Sequence, residues 1–256
     1  MPVFSRIRSL LIVLSLFFWI VFDPRWHDLL LSRWYLLKGI ETTFVYSIMG
    51  GLLGLIAGGF LAAMRMVGGV LGVAATAVVA FSQAIPPLFI IVAFYLATPN
   101  ILSVTPSPEA AGVIALGVIA SGYYCEAIRA AVVGVDPLQA EAGRMSGLSR
   151  IAVFSRIVLP QALVACVPAI GAASIIVFKL STLLYPIGIT DFFRATVLVN
   201  NRVIEPLRCY VVIAAFYYVA SDIIQIAISL ISDRISTRSS GRNAESVKLK
   251  SFSSVG

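Results

Sequence analysis

Two ionisable side chains, Lys179 and Asp222, stand inside stretches that are otherwise hydrocarbon. A charge in such a setting is costly, so each marks a place where something polar has to be met. Lys179 offers an ammonium to a carboxylate, or a long stem that snorkels to the interface. Ser181 and Thr182 offer hydroxyls to a polar solute, or to the carbonyls of their own helix. Gln83 and Pro86 add an amide and a backbone break in another apolar run. This is the chemistry of holding and releasing a solute rather than of breaking its bonds. The chain has one histidine, no closely spaced set of metal ligands, and no nucleophile with a base placed beside it. No Gly-Lys pair occurs, so the phosphate-cradling signature Gly-x-x-x-x-Gly-Lys-Ser/Thr is absent. Cys125, Cys166 and Cys209 lie far apart in apolar context and read as buried, inert thiols.

The elements that must position these groups are membrane helices. The 256 residues are 59% hydrophobic and only 12% charged, with a mean hydropathy of +0.98. A bilayer core takes about 20 apolar residues per helix. Six stretches approach or exceed that: Leu10–Phe22, Thr42–Met64, Val70–Ala97, Ala110–Val133, Gln161–Tyr185 and Leu207–Ile231. They lack the period-two alternation of a barrel, so the fold class is an all-α, polytopic helical bundle of about six spans. Basic residues gather in alternate connections (Arg6 and Arg8, Arg65, Arg129 to Arg156, Arg234 to Lys250), while Pro99–Pro108 has none. By the positive-inside rule the first set is cytoplasmic, as are both termini. The net charge of +7 therefore reads as topology, and no nucleic-acid partner is expected.

Asp23-Pro24 starts a short segment whose Trp26, Leu30, Trp34 and Leu37 predict a helix lying in the outer interface. Gly50, Gly54 and Gly58 form a groove for a close helix neighbour, and Pro86-Pro87 breaks the third span. Lys179 lies about 27 Å along its helix from Gln161, near the outer half, with Glu41 as a well-placed partner. Asp222 lies about 13 Å from the inner end of the last span, too deep to pair with Lys179. Glu126 and Arg129, three apart, are expected to pair. The tail from Ser236 is Ser-rich and basic and reads as disordered.

The most informative polar stretch is Pro137–Pro160. Leu138, Ala142, Met145 and Leu148 recur near helical spacing, with Gln139, Glu141 and Arg144 between them, predicting a short amphipathic helix ended at Gly147. Gly147 is expected at a tight turn or a close contact. Its pattern, Glu141-Ala142-Gly143, three residues, Gly147, nine residues, then Ile157-x-Leu159-Pro160, resembles the cytoplasmic coupling loop of permease subunits in ATP-binding-cassette importers. Gly143 departs from the alanine usual there. Tyr123, Glu126, Arg129 and Gln139 are similar to the Tyr-x-x-Glu-x-x-Arg and following Gln of permeases for polar amino acids. Gly39 and Thr43 match that group upstream; Pro168, Gly171, Lys179, Leu183 and Gly188 match it downstream. Three positions depart from it: Gln83-Ala84-Ile85-Pro86 replaces Arg-Gly-Thr-Pro, Ala172-Ala173 replaces Asn-Glu, and Leu180 replaces Asp.

The resemblance implies a five-helix core over 39–235 with its coupling loop at 137–160, preceded by one N-terminal helix within 1–38 and followed by a tail over 236–256. It implies a multi-pass protein of the bacterial inner membrane that moves a polar amino acid or a similar solute by alternating access. Glu141, Ala142, Gly143, Gly147, Ile157, Leu159 and Pro160 would contact a separate ATPase subunit, which holds the ATP and Mg; this chain would bind no cofactor and do no catalysis. An extracytoplasmic solute-binding protein and a second permease subunit, alike or different, would complete the assembly in the lipid bilayer. The alternatives are a permease for an osmolyte, opine or peptide, and an ATP-independent secondary carrier using Asp222.

Overall fold

The computed structural model describes residues 31–253 and the isolated positions Ile7, Leu11, Leu14, Ser15 and Phe18. The expected first span Leu10–Phe22 and the start of the expected interfacial helix lie outside the described residues. Helix α1 runs Arg33–Val67, α2 Gly69–Ala84, α3 Pro87–Leu102 and α4 Pro108–Val133. A short α5, Pro137–Met145, precedes α6, Arg150–Val153, which passes through a π-helical turn at Phe154–Val158 into α7, Leu159–Leu180. A 3-10 segment, Ser181–Ile187, leads to α8, Phe192–Val203, and α9, Pro206–Ser253. Four of these are long and apolar enough to cross a membrane, or five if the bent pair α2 and α3 makes one span.

Three expected boundaries move. Arg33–Lys38 belong to the first turns of α1, not to a separate interfacial helix. No proline stands between Leu31 and Thr42, and the lone Gly39 costs a helix only about 1 kcal/mol. The third span is two helices at 104°, because Pro86 and Pro87 remove two successive backbone donors. The fifth span starts not at Gln161 but at Arg150, where the Ser149 hydroxyl accepts from Ala152 N at 3.2 Å. Helix also continues along the backbone to Ser253, where the sequence reading expects disorder from Ser236. Once the apolar part of α9 has nucleated the helix, each further residue adds at little cost.

The core forms where α1 and α4 lie side by side. A Cβ built on Gly54 would come within 2.4 Å of Ala120 Cβ, and one on Gly58 within 2.6 Å of Ser121 O. The groove expected from the four-residue glycine spacing is thus filled by the backbone of α4. Ile91, Leu116, Ile119, Tyr124 and Val177 close over this seam, and Tyr124 Oη meets Ser174 Oγ of α7 at 2.9 Å. A second, aromatic cluster of Phe44, Phe178, Phe192, Phe216 and Tyr217 binds α8 to α1, α7 and α9.

Helix α8, which the sequence reading leaves within an outer connection, is fixed by a buried carboxylate. Asp191 caps it by accepting from Arg194 N at 2.9 Å, and accepts from Tyr217 Oη at 3.2 Å. Phe192 N donates to Thr43 Oγ1 at 3.0 Å. Burial pushes the Asp191 carboxyl up to about 6, against the opposing pull of these hydrogen bonds. A group that binds its proton more tightly when folded adds stability below its unfolded pKa and loses it as pH rises through the folded one. Stability should therefore fall between about pH 4 and pH 7, by about 2–3 kcal/mol from this group alone. Asp191→Asn, whose Oδ1 can still accept from Arg194 N while its amide NH2 donates to Tyr217 Oη, should flatten that dependence in melting curves of the purified protein.

Candidate functional site

The segment with the coupling-loop pattern folds as two short helices against the N-terminal end of α7. Asp136 caps α5 by accepting from Leu138 N at 2.9 Å, with Pro137 in the first turn, where its missing N–H costs nothing. The helix closes on paired bonds: Leu148 N donates to Gly143 O at 3.2 Å and Gly147 N to Arg144 O at 3.0 Å. This closure needs a left-handed residue, and Gly147 supplies it with φ of +82°. Nothing lies within 4 Å of a Cβ there, so the requirement is on the backbone and not on space.

Gly143 shows the opposite constraint. It is buried, and a Cβ on it would stand 2.5 Å from Ile157 Cδ1 and 3.3 Å from Val153 Cγ2. The departure from alanine is thus matched by the isoleucine it faces: α5 rests on α6 and the π turn by its glycine. The short helix expected from the spacing turns its apolar residues outward. Leu138 and Met145 are 68% and 90% exposed, and Glu141 and Ala142, which share their face, are exposed too. Ile151 of α6 is also exposed. An apolar surface around one carboxylate thus points away from the bundle, and Glu141 makes no hydrogen bond or ion pair within the described residues.

Pro160 explains the π turn. A proline ring collides with the carbonyl four residues before it, here that of Arg156. Widening the preceding turn relieves this, and Leu159 N reaches back five residues to Phe154 O. Gln161 then bridges the two parts, donating to Gln139 Oε1 at 2.6 Å and to Ile157 O at 2.9 Å. That bridge was not anticipated; Gln139 and Gln161 are 22 residues apart with no shared pattern.

Beyond Pro160, α7 leaves one face uncovered along its whole length. Gln161, Ala165, Pro168, Ala172, Ile176 and Lys179 recur at three- and four-residue spacing and are exposed, while Cys166, Gly171, Ala173, Val177 and Phe178 face the core. Lys179 does not pair with Glu41; both are exposed and without partners among the described residues. Ser181 and Thr182 turn their hydroxyls to their own helix, onto Phe178 O at 2.7 Å and Lys179 O at 2.9 Å. Of the expected polar group, then, Lys179 alone is presented outward with its charge uncommitted. Gln83 and Pro86 stand exposed at the α2–α3 bend, which seats on α4 through Gly122, 2.8 Å from Ser82 Oγ if given a Cβ. Near the C-terminal ends of α1 and α4, Glu126 binds Arg129 at 3.0 Å as expected and also Arg65 at 2.5 Å. Sequence reading used Arg65 only as a marker of sidedness; its position closing α1 was the signal missed.

The chain matches the family described as "Binding-protein-dependent transport system inner membrane component" over residues 50–240. It is 28% identical over 208 residues to the octopine transport system permease protein OccQ of Rhizobium radiobacter, covering 75% of this chain and 88% of that protein. It is 26% identical over 223 residues to the glutamate/aspartate import permease protein GltK of Escherichia coli O6:H1, covering 84% and 99%. Among solved structures it superposes on an amino acid ABC transporter crystallised with histidines, with a TM-score of 0.75, 25% identity, and coverage of 80% and 96%. An inward-facing MetNI methionine transporter structure shares the fold at a TM-score of 0.64 and 18% identity.

Proposed function

Because this chain belongs to the family of binding-protein-dependent transport inner membrane components, we propose that it is the permease subunit of an ATP-binding-cassette importer for a polar amino acid or a similar solute. The observation that carries this reading is the coupling segment: a short helix held by Gly143 on the start of α7, with Leu138, Glu141, Ala142 and Met145 turned outward. Such a face suits a separate ATPase, which holds the ATP and Mg, this chain itself binding neither. The amino-acid class is supported by relatives named for glutamate/aspartate, arginine and octopine. A solute-binding protein on the outer side and a second permease subunit complete the assembly. The coupling segment lies in the cytoplasm, so Pro99–Pro108 and α8 face outward.

In this mechanism closure of the ATPases moves the α5–α6 unit, and α7 moves with it because the helix is continuous from Arg150. The uncovered face of α7 lines the path, with Lys179 toward its outer end. Proteoliposomes holding this chain, its ATPase, its binding protein and any sister permease should take up solute only with ATP inside. Uptake by this chain alone, driven by an ion gradient, would replace the reading with a secondary carrier.

Lys179→Met tests the path. Loss of a hydrogen bond to a charged group is worth about 1.5–3 kcal/mol, which corresponds to roughly 10- to 100-fold in apparent affinity for solute. ATP hydrolysis by the assembled complex without solute should be unchanged. An unaltered affinity would remove Lys179 from the path.

A further inference from the structure

The corner between α2 and α3 leaves a run of backbone carbonyls without donors inside the span. Pro86 and Pro87 carry no N–H, so the oxygens of Ser82 and Gln83 lose their intrahelical partners. Helix α3 restarts from Pro86, whose oxygen accepts from Phe89 N at 2.9 Å and Ile90 N at 3.4 Å, while Ile85 N turns back to Phe81 O. Among the described residues no backbone N–H then reaches the oxygens of Ser82, Gln83, Ala84 and Ile85. The Gln83 amide beside them is exposed and has no hydrogen-bond partner there either. These groups sit at mid-depth. Each leg holds 16 residues, about 24 Å, and two such legs turned by 104° reach about 30 Å, one bilayer core. The corner falls halfway, with Ser82 seated at Gly122 near the middle of α4.

Lipid cannot satisfy them, since irregular backbone persists at this depth only inside protein or beside water. A packed helix answers poorly, because its own N–H groups are spent internally and only side-chain hydrogens remain. Ser15 and Trp19 of the apolar run Leu10–Phe22 carry one such hydrogen each. A helix of a second subunit, alike or different, is limited in the same way. Four carbonyls with two lone pairs each, and the Gln83 oxygen, ask for more. We propose that the corner faces the aqueous solute path and receives a cationic group there, the ammonium of an amino acid or a similar solute. Helix α2 ends at this point with the negative pole of its dipole. Carbonyls freed at helix breaks are groups that hold cations in membrane carriers. No acidic residue lies between Arg65 and Glu109, so the attraction is by dipoles alone and release stays easy. Ile91, one turn beyond the corner, shares a buried cluster with Val177 and Leu184, which flank Lys179. Lys179 thus serves the carboxylate of the solute and the corner its amine. The inference rests on the permease reading, which the uptake assay above tests separately.

The test uses Gln83→Cys and Ala84→Cys, both at exposed positions, in the assembled transporter within native membranes. The parent chain, whose three cysteines are buried, is the blank. Two methanethiosulfonate reagents are applied to both sides of the membrane, one carrying a trimethylammonium group and one a sulfonate; each modifies thiols only in water. Both positions should react. The ratio of cationic to anionic rate should exceed that at Ser103→Cys, in the outer connection, at least 10-fold. Leu52→Cys, an exposed hydrocarbon position on α1, should stay unmodified. No modification at either corner position, as lipid or a packed helix would give, overturns the proposal. So does a ratio no higher than that at Ser103→Cys, which would leave the corner wet but without preference for a cation. The labelling needs neither uptake nor ATP, so its failure is distinct from a failure of the permease reading.

Discussion

Uptake by a complex carrying Glu141→Lys is expected to fall to background while the chain inserts and accumulates normally. Glu141 is exposed on α5 and touches no charged or hydrogen-bonding group of its own subunit among the described residues. Exposed substitutions of that kind shift stability by no more than about 0.5 kcal/mol. The damage must therefore arise at the surface the residue is turned toward. In a docked complex the carboxylate sits amid Leu138, Ala142 and Met145, in a patch that water leaves on contact. Reversing a charge there loses about 2–5 kcal/mol, enough to empty the interface at ordinary concentrations. Two readings separate the outcomes: retention of the ATPase on the tagged subunit, and ATP-driven uptake in vesicles. Normal uptake at normal abundance would remove Glu141 from the coupling contact.

Gly54→Leu should act on the fold itself. A Cβ there would meet Ala120 Cβ at 2.4 Å and Gly117 O at 2.9 Å, and backbone cannot step aside as the end of a side chain can. The α1–α4 seam would have to part, at a cost of about 3 kcal/mol. Five residues on, Gly59 offers a control of the opposite sign. Its Cβ would find only Ile128 Cδ1 at 3.9 Å, an ordinary contact, so Gly59→Ala should gain up to about 1 kcal/mol of helix propensity. Thermal unfolding of the two variants in detergent should bracket the parent protein. If both melt where the parent does, the seam is looser than the packing implies.

Much of this architecture is legible because membrane helices are written in composition. The glycines at 50, 54 and 58, the break at Pro86-Pro87 and the Glu126–Arg129 pair all follow from spacing within one element, and spacing is what a sequence displays. What was missed depends on partners far apart in the chain. Arg65 reaches Glu126, Gln139 reaches Gln161, and Asp191 reaches Tyr217 across 26 residues or more in two of the three cases. The way α5 faces was not legible from its spacing, because Gly143, which has no side chain to count as apolar, is the residue that packs inward. A helix whose hydrocarbon is turned away from its own subunit reverses the usual rule. The expected Lys179–Glu41 pair failed because depth along a helix says nothing of which way round each side chain points.

The wide turn at Phe154–Val158 has a consequence for how the chain can vary in length. A regular helix advances 100° per residue, so inserting or deleting one residue rotates everything beyond it by more than a quarter turn. A π turn takes up one residue without that rotation. It thus sets the rotational phase of α7 relative to the seat of Gly143 on Ile157. If the same residues were wound as plain α-helix, the outward row from Gln161 to Lys179 would swing by about 100° toward the core, and Lys179 with it. Removing one residue within Phe154–Val158 should keep that row in place, whereas removing one between Ala162 and Val167 should not. A single turn beside a proline therefore acts as the index mark that aligns the two ends of a helix spanning the membrane.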